Sequence, residues 1–310
     1  MRAPRFVPPG SLVEITVRTN GARFYLRPGP ELNAAILGIV GRALALYPVS
    51  LHAIVFLSNH WHALVTPCDG EALARFLQYV NANVAKAAQA INGVRGIVWQ
   101  RRASLIHVLD EEAQLERLRY LLAHGTKERL VASPRLWPGV TSARSLAGEE
   151  VLVGVWEDRA LKRRLERGNR VPHPSEYTIR YPIEFVPLPV HATISDADRQ
   201  REINATLAEV ESAHPGPHLG VSAVLAQDPN TEPVRSKHGR APAVHTTSDG
   251  QKARYLALRA AFREAYRSAA ARHAERPTAV AWPVDAFLPA LQFVVPGDVK
   301  SRPPMLAMIC

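Results

Sequence analysis

The chain predicts an α+β protein: a ferredoxin-like split βαβ antiparallel sheet with an additional mixed C-terminal region. Three observations carry this. Hydrophobic residues fill 47% of the 310 positions and charged residues 21%, enough for a sizeable packed core. Up to Gly125, hydrophobic spacing switches between period 2 and period 3.6 in the order β-α-β-β-α-β-α. The first six of these match the split βαβ arrangement, an antiparallel sheet with helices on one face. Beyond about residue 134 the pattern weakens, and Pro134, Pro138 and Gly139 mark a linker. The expected division is a first domain over 1–145 and an extension of unknown role over 146–310.

Residues 12–18 alternate and are rich in β-branched side chains, a strand. Pro28, Gly29 and Pro30 break the chain. Residues 31–47 form a helix, with Leu32, Ile36, Ile39, Val40, Ala43 and Leu44 at helical spacing, ended by Pro48. Residues 49–57 are a buried strand, Ser58 and Asn59 a turn, and residues 60–66 the second strand of that hairpin. Residues 71–91 are a long helix that carries Leu73, Phe76, Leu77, Val80, Val84 and Ala87 on one face, with Tyr79 left to the core. Residues 99–109 are extended. Asp110 is a good helix N-cap, Glu111 and Glu112 suit a first turn, and the helix runs to about His124 with Gly125 as its C-cap.

In the second half, residues 157–170 and 196–212 are helix candidates, and 171–190 reads as strand or extended chain. Residues 214–249, rich in Pro, Gly, His and Ser, read as a surface loop. Residues 251–274 form an amphipathic helix, with Arg259, Arg263 and Arg267 beside its apolar face.

Composition excludes several classes. Two cysteines, Cys68 and Cys310, rule out a disulfide-rich scaffold and a Cys-based zinc site, and fit a reducing compartment. No apolar run reaches bilayer-spanning length, and the N-terminus lacks the apolar core of a signal peptide, so a cytoplasmic protein with no membrane partner is expected. The net charge is +10, with +6 in residues 1–150 and +4 in 151–310. A basic excess spread over both halves suits a polyanion such as nucleic acid, or a chain that simply uses arginine freely.

Three constellations carry chemistry. His60 and His62 are separated by one residue on a strand, so both imidazoles face one side and can share a divalent ion, while Trp61 faces the other. Tyr120 and His124 lie four apart on a helix, one turn from each other, a possible nucleophile and third ligand. Trp99, Gln100, Arg101 and Arg102 place an aromatic beside two cations ahead of the last strand, a pattern suited to a nucleic-acid backbone and a stacked base. Each pattern has a plain alternative: a chance H-x-H among 12 histidines, a His complementing a helix dipole, and a solvated hairpin edge.

Taken in order, these pieces resemble the single-tyrosine HUH transposases, most of all the REP-associated tyrosine transposase branch. Thr16-Val17-Arg18-Thr19-Asn20-Gly21 resembles the family's T-x-R-x-N-G segment, and Leu57-Ser58-Asn59-His60-Trp61-His62 its M-P-N-H-x-H. Trp99-Gln100 resembles its W-Q, and the stretch from Tyr120 to Val131 its Y-I-x-x-N-P-V-x-x-G-L-V. The stretch from Pro134 to Ser142 resembles its P-x-x-W/Y-P-x-S-S. The likeness covers roughly residues 5–145. Two departures stand out: His124-Gly125 replaces Asn-Pro, and Ser58 replaces Pro.

The resemblance implies a transposase or single-strand DNA nicking and joining enzyme. Tyr120 would be the nucleophile, forming a 5′-phosphotyrosine. His60, His62 and His124 would hold Mg²⁺ or Mn²⁺. Trp99, Gln100, Arg101, Arg102, Lys127 and Arg129 would contact DNA, single-stranded or hairpin, and a homodimer would be in keeping with relatives. One alternative is a domesticated member that binds DNA without cleaving it, motivated by His124-Gly125. Another is a two-histidine phosphoesterase, since Val190-His191-Ala192-Thr193 and Val244-His245-Thr246-Thr247 both read apolar-His-x-Thr. A zinc hydrolase lacks H-E-x-x-H or an acidic third ligand at motif spacing.

Overall fold

The computed structural model describes residues 4–167, 171–233, 241–275, 280–288 and 294–296. Cys310 and the end of the expected 157–170 helix lie outside them. The protein is mixed α and β. Strand β1 (Val13–Arg18) leads to helix α1 (Pro30–Leu46), strands β2 (Val49–Phe56) and β3 (His60–Pro67), helix α2 (Gly70–Ile91), strand β4 (Ser104–His107) and helix α3 (Glu111–Leu122). The four strands form one antiparallel sheet in the order β2-β3-β1-β4.

Strand alternation sorts the side chains between two faces. Val13, Ile15 and Val17 of β1, and Trp61, Ala63 and Val65 of β3, join α1 and α2 in one apolar cluster. Trp61 is fully buried there, stacked on Phe56 with centroids 5.3 Å apart. The other face belongs to α3. Leu64, Ala53, Val55 and Leu57 pack with Leu118, Leu121 and Leu122. A bulge between Leu51 and Ala53 inserts His52 into β2. Its ring bonds the Val186 carbonyl through Nδ1 and the Thr66 hydroxyl through Nε2.

The rest of the chain covers this sheet. Short helix α4 (Ala143–Leu146) follows a segment that docks on the outer edge of β2. There the Phe56 amide donates to Val140, the Ser142 amide donates to Ile54, and Trp137 Nε1 donates to the Phe56 carbonyl at 2.8 Å. Strand β5 (Val153–Glu157), which the sequence pattern does not announce, pairs antiparallel with β6 (Thr178–Pro182) after helix α5 (Arg159–Glu166). This ribbon lies on α1 so closely that a Cβ on Gly38 would sit 2.3 Å from the Val155 carbonyl. Helix α6 (Asp196–Ala213) packs Ile203 and Leu207 into the α3 face, and α7 (Val221–Leu225) adds Val224. Helix α7 falls inside the stretch expected to be loop.

Helix α8 (Asp249–Glu275) matches the expected amphipathic helix, followed by a small parallel pair, β7 (Val280–Trp282) and β8 (Val294–Pro296). Ahead of α8, the expected loop contributes a second edge cover. The His245 amide donates to His107 and the Leu109 amide donates to His245, a parallel bridge beside β4. Thr246 and Thr247 both bond the Asp110 carboxylate that caps α3. Both edges of the sheet are therefore protected. No described helix is long and apolar enough to cross a membrane.

His107 sits between β4 and α8, its Nδ1 2.9 Å from the Tyr255 hydroxyl. Burial, helped by Arg259, pushes its pKa down to about 3. The unfolded chain binds this proton near pH 6.5, whereas the folded chain refuses it until about pH 3. Stability is thus full above pH 6.5 and falls as pH drops through that window, by up to about 1.4 kcal/mol per unit for this group. Urea midpoints at pH 7.5 and pH 5 should show a drop that shrinks in His107→Leu. An equal drop in both proteins would contradict this.

Candidate functional site

The H-x-H pair lies at the start of β3, next to a tight Ser58-Asn59 turn in which the Leu57 amide donates to the His60 carbonyl. Because Trp61 is buried against α1 and α2, His60 and His62 project to the α3 face. Helix α3 brings the third histidine. Its N-terminus is set by Asp110, whose carboxylate accepts from the Ala113 amide at 2.8 Å, and it closes at Gly125 in the left-handed region with φ +88°. His124 is held at that closure and is buried.

His60, His62 and His124 together form a group able to hold a metal ion, their ligand atoms all within 4.8 Å of one another. The ring centroids of His62 and His124 are 4.5 Å apart, and those of His60 and His62 5.0 Å. Each Nδ1 faces an oxygen that accepts: Asn59 Oδ1 at 2.6 Å from His60, Glu14 Oε1 at 3.2 Å from His62, and the Tyr120 carbonyl at 2.7 Å from His124. Thr16 Oγ1 lies 3.0 Å from the same His62 nitrogen. An imidazole that donates from Nδ1 carries its lone pair on Nε2, the form that ligates a metal. Burial pushes His62 and His124 below the usual imidazole range. His124 goes well below it, with His62 and Lys127 adding to the effect, so both are held neutral. The donor set fits a first-row divalent ion with open positions left for oxygen ligands.

Tyr120 lies against this group, 4.7 Å from His124 and 6.0 Å from His62 between ring centroids. Two cations lie over its ring: Lys127 Nζ 3.3 Å and Arg117 Cζ 4.0 Å from the centroid. Lys127, expected as a DNA contact, is thus part of the tyrosine's surroundings. The other expected nucleic-acid residues fall on the 99–102 segment and at Arg129. Gln100, Arg101 and Arg102 are exposed on the segment after Trp99. Trp99 is half-buried and donates its indole proton to the Asn81 carbonyl at 2.9 Å, so it anchors the chain to α2. Arg129 donates to the Pro215 carbonyl at 2.7 Å and ties two loops together.

The histidines of the two His-x-Thr segments have different partners. His191 faces Glu202 at 3.2 Å and His245 faces Glu14 at 3.0 Å. Sequence reasoning missed Glu14 and Arg117, and it singled out His245 only as part of a His-x-Thr pattern, not as a neighbour of Glu14. Glu14 is buried in mid-strand β1, two residues from Thr16, the register partner of His62. A lone carboxylate on the inward face of an alternating strand was the available signal. Burial favours its neutral form, but His245, His62 and Arg117 outweigh that and hold the carboxyl well below the usual range.

Gly125 has a physical reason. A Cβ there would meet Trp137 Cε3 at 3.1 Å, and the positive φ is one proline cannot adopt. Gly125→Ala should cost about 1–2 kcal/mol, measured as a lowered urea midpoint. An unchanged midpoint would contradict the left-handed closure.

No family model matches the chain, and no curated protein matches it. Among solved structures, it is similar to a REP-associated tyrosine transposase bound to a REP hairpin. The identity is 16%, over 48% of this chain and 86% of that one, with a TM-score of 0.39.

Proposed function

We propose that this chain nicks and rejoins single-stranded or hairpin DNA through Tyr120, beside a divalent ion held by His60, His62 and His124. The observation that carries the reading is the meeting of two sequence patterns far apart in the chain. Tyr120-x-x-x-His124, at the C-terminal end of α3 and in the turn that follows, is laid against His60-x-His62 of β3, so that a phenol and three metal-competent imidazoles share one place. The sequence resemblance to HUH transposases points the same way, and so does the strand order β2-β3-β1-β4, which suits a split βαβ sheet of that kind.

In this reading the Tyr120 oxygen attacks the scissile phosphorus. A tyrosine–phosphate bond forms, the bond from phosphorus to the 3′-oxygen breaks, the phenol loses its proton and the 3′-oxygen gains one. Because the phosphotyrosine keeps the phosphodiester's energy, a 3′-hydroxyl can attack it and restore a continuous strand. Lys127 and Arg117 place positive charge beside the tyrosine, where phosphate charge gathers. A divalent ion bound at the imidazoles would polarise a phosphate oxygen. Three nitrogen donors suit Mn²⁺ better than Mg²⁺, which prefers oxygen. The exposed Arg101 and Arg102, with the overall charge of +10, would add salt-dependent affinity for the DNA backbone.

The test is a denaturing gel of the full chain incubated with labelled hairpin DNA and Mn²⁺. A protein–DNA adduct should form and should vanish in Tyr120→Phe and with chelator. An adduct that persists in Tyr120→Phe would contradict the assignment of the nucleophile. Binding without any adduct would favour a member that binds DNA and does not cut it.

A further inference from the structure

Behind His62 lies a buried carboxylate, Glu14, that the proposed chemistry does not use. Glu14 stands on the α3 face of β1, where its strand neighbour Leu64 is apolar. Oε1 is hydrogen-bonded, whereas Oε2 has cationic or imidazole neighbours at ion-pair distance and no hydrogen bond. Oε1 faces His62 Nδ1 at 3.2 Å, and Oε2 faces His245 Nε2 at 3.0 Å and Arg117 Nη1 at 3.7 Å. Arg117 in turn lies over the Tyr120 ring. Taking a carboxylate out of water is costly, and an apolar residue here would pack with Leu64 at lower cost. A carboxylate behind a ligating histidine does one thing an apolar residue cannot: it fixes which ring nitrogen holds the proton.

His245 reaches Glu14 from the far half of the chain. Its backbone is stitched to β4 on both sides, to His107 and to Leu109, and the next two residues bond Asp110. The side chain is therefore delivered at a fixed position against Glu14. We propose that Glu14 and His245 are positioning residues of the metal centre, with His245 orienting the Glu14 carboxylate and Glu14 holding His62 in the tautomer that turns Nε2 to the ion. The inference rests on the reading that His60, His62 and His124 bind metal, and it makes the segment around His245 a working part of that centre. Glu14 also joins the two halves of the site, since the carboxylate that faces a ligand also faces the arginine lying over the nucleophile.

The experiment uses the full chain without added metal. Long-range ¹H–¹⁵N spectra of the imidazoles are recorded above pH 7.5, with the His62 signals assigned by comparison with His62→Asn. His62 should be a single Nδ1–H tautomer. His245→Leu keeps bulk and removes the ring nitrogens, and should turn His62 into a mixture of tautomers. His245→Gln, which keeps a donor, should restore the single form. A role in packing alone would be met by leucine as well as by glutamine. Thermal midpoints of both variants show that each is folded when the spectra are taken. Mn²⁺ affinity should fall roughly tenfold in His245→Leu and return in His245→Gln. An Nε2–H tautomer at His62 in the unaltered chain, or a His245→Leu spectrum identical to it, would overturn the inference. Absence of Mn²⁺ binding to the unaltered chain would instead overturn the metal reading, while the tautomer still decides the role of Glu14 and His245.

Discussion

The burial of Trp61 is the constraint on which the site depends. A strand has two faces, so a fully buried indole on one of them leaves its neighbours no choice of side. Trp61 is locked by stacking on Phe56 and by its Nε1 donating to Asn81 at 3.2 Å, so β3 cannot slip by one residue without tearing the ring from these partners and forcing it into the already packed α3 face. His60 and His62 must then face α3. Helix α3 is itself fixed in length and phase: Asp110 caps its start, its last residue is Leu122, and the turn that carries His124 leads into the left-handed Gly125. A small lengthening of the helix would carry His124 away from the sheet, because each residue turns the side chain by about 100°.

The second requirement is electrostatic. Three imidazoles can turn Nε2 to one ion only if each Nδ1 donates elsewhere, and each Nδ1 has an oxygen within hydrogen-bond reach behind it. Two of those oxygens belong to groups local to the histidines, the Asn59 amide and the Tyr120 carbonyl. The third is the Glu14 carboxylate, buried and shared with His245 and Arg117. The chain beyond residue 146 is thus bound up with the sheet in two ways. It packs Leu188, Ile203, Leu207 and Val224 under the α3 face, and it places a histidine against the carboxylate behind the site.

Much of this was legible in the amino-acid sequence because it is local. The four strands and three helices up to Leu122 follow from periodicity and from signals such as the Asp110 cap, whose side chain accepts the Ala113 amide proton. The His60-x-His62 and Tyr120-x-x-x-His124 pairs are also local, each fixed by the period of its own element. What escaped is what depends on distant partners. Strand β5 exists because Gly38 and Gly154 let it lie on α1, and no periodicity within five residues announces that. The bridge at His245 lies in a stretch whose Pro, Gly and Ser content reads as loop, and its pairing with β4 spans more than 130 residues. Glu14 was visible as a misfit in its strand, yet its partners come from β3, α3 and the His245 segment at once. Trp99 likewise has a distant partner that its neighbours in sequence do not announce: its indole donates to the Asn81 carbonyl of α2.

The central claim is that three histidines from β3 and α3 hold one divalent ion beside Tyr120. Calorimetric titration of the full chain with Mn²⁺ at pH 7.5 tests it most directly. The account predicts one saturable site per chain, lost in His124→Ala while the variant stays folded. No saturable binding, or a site that survives His124→Ala unchanged, would contradict it.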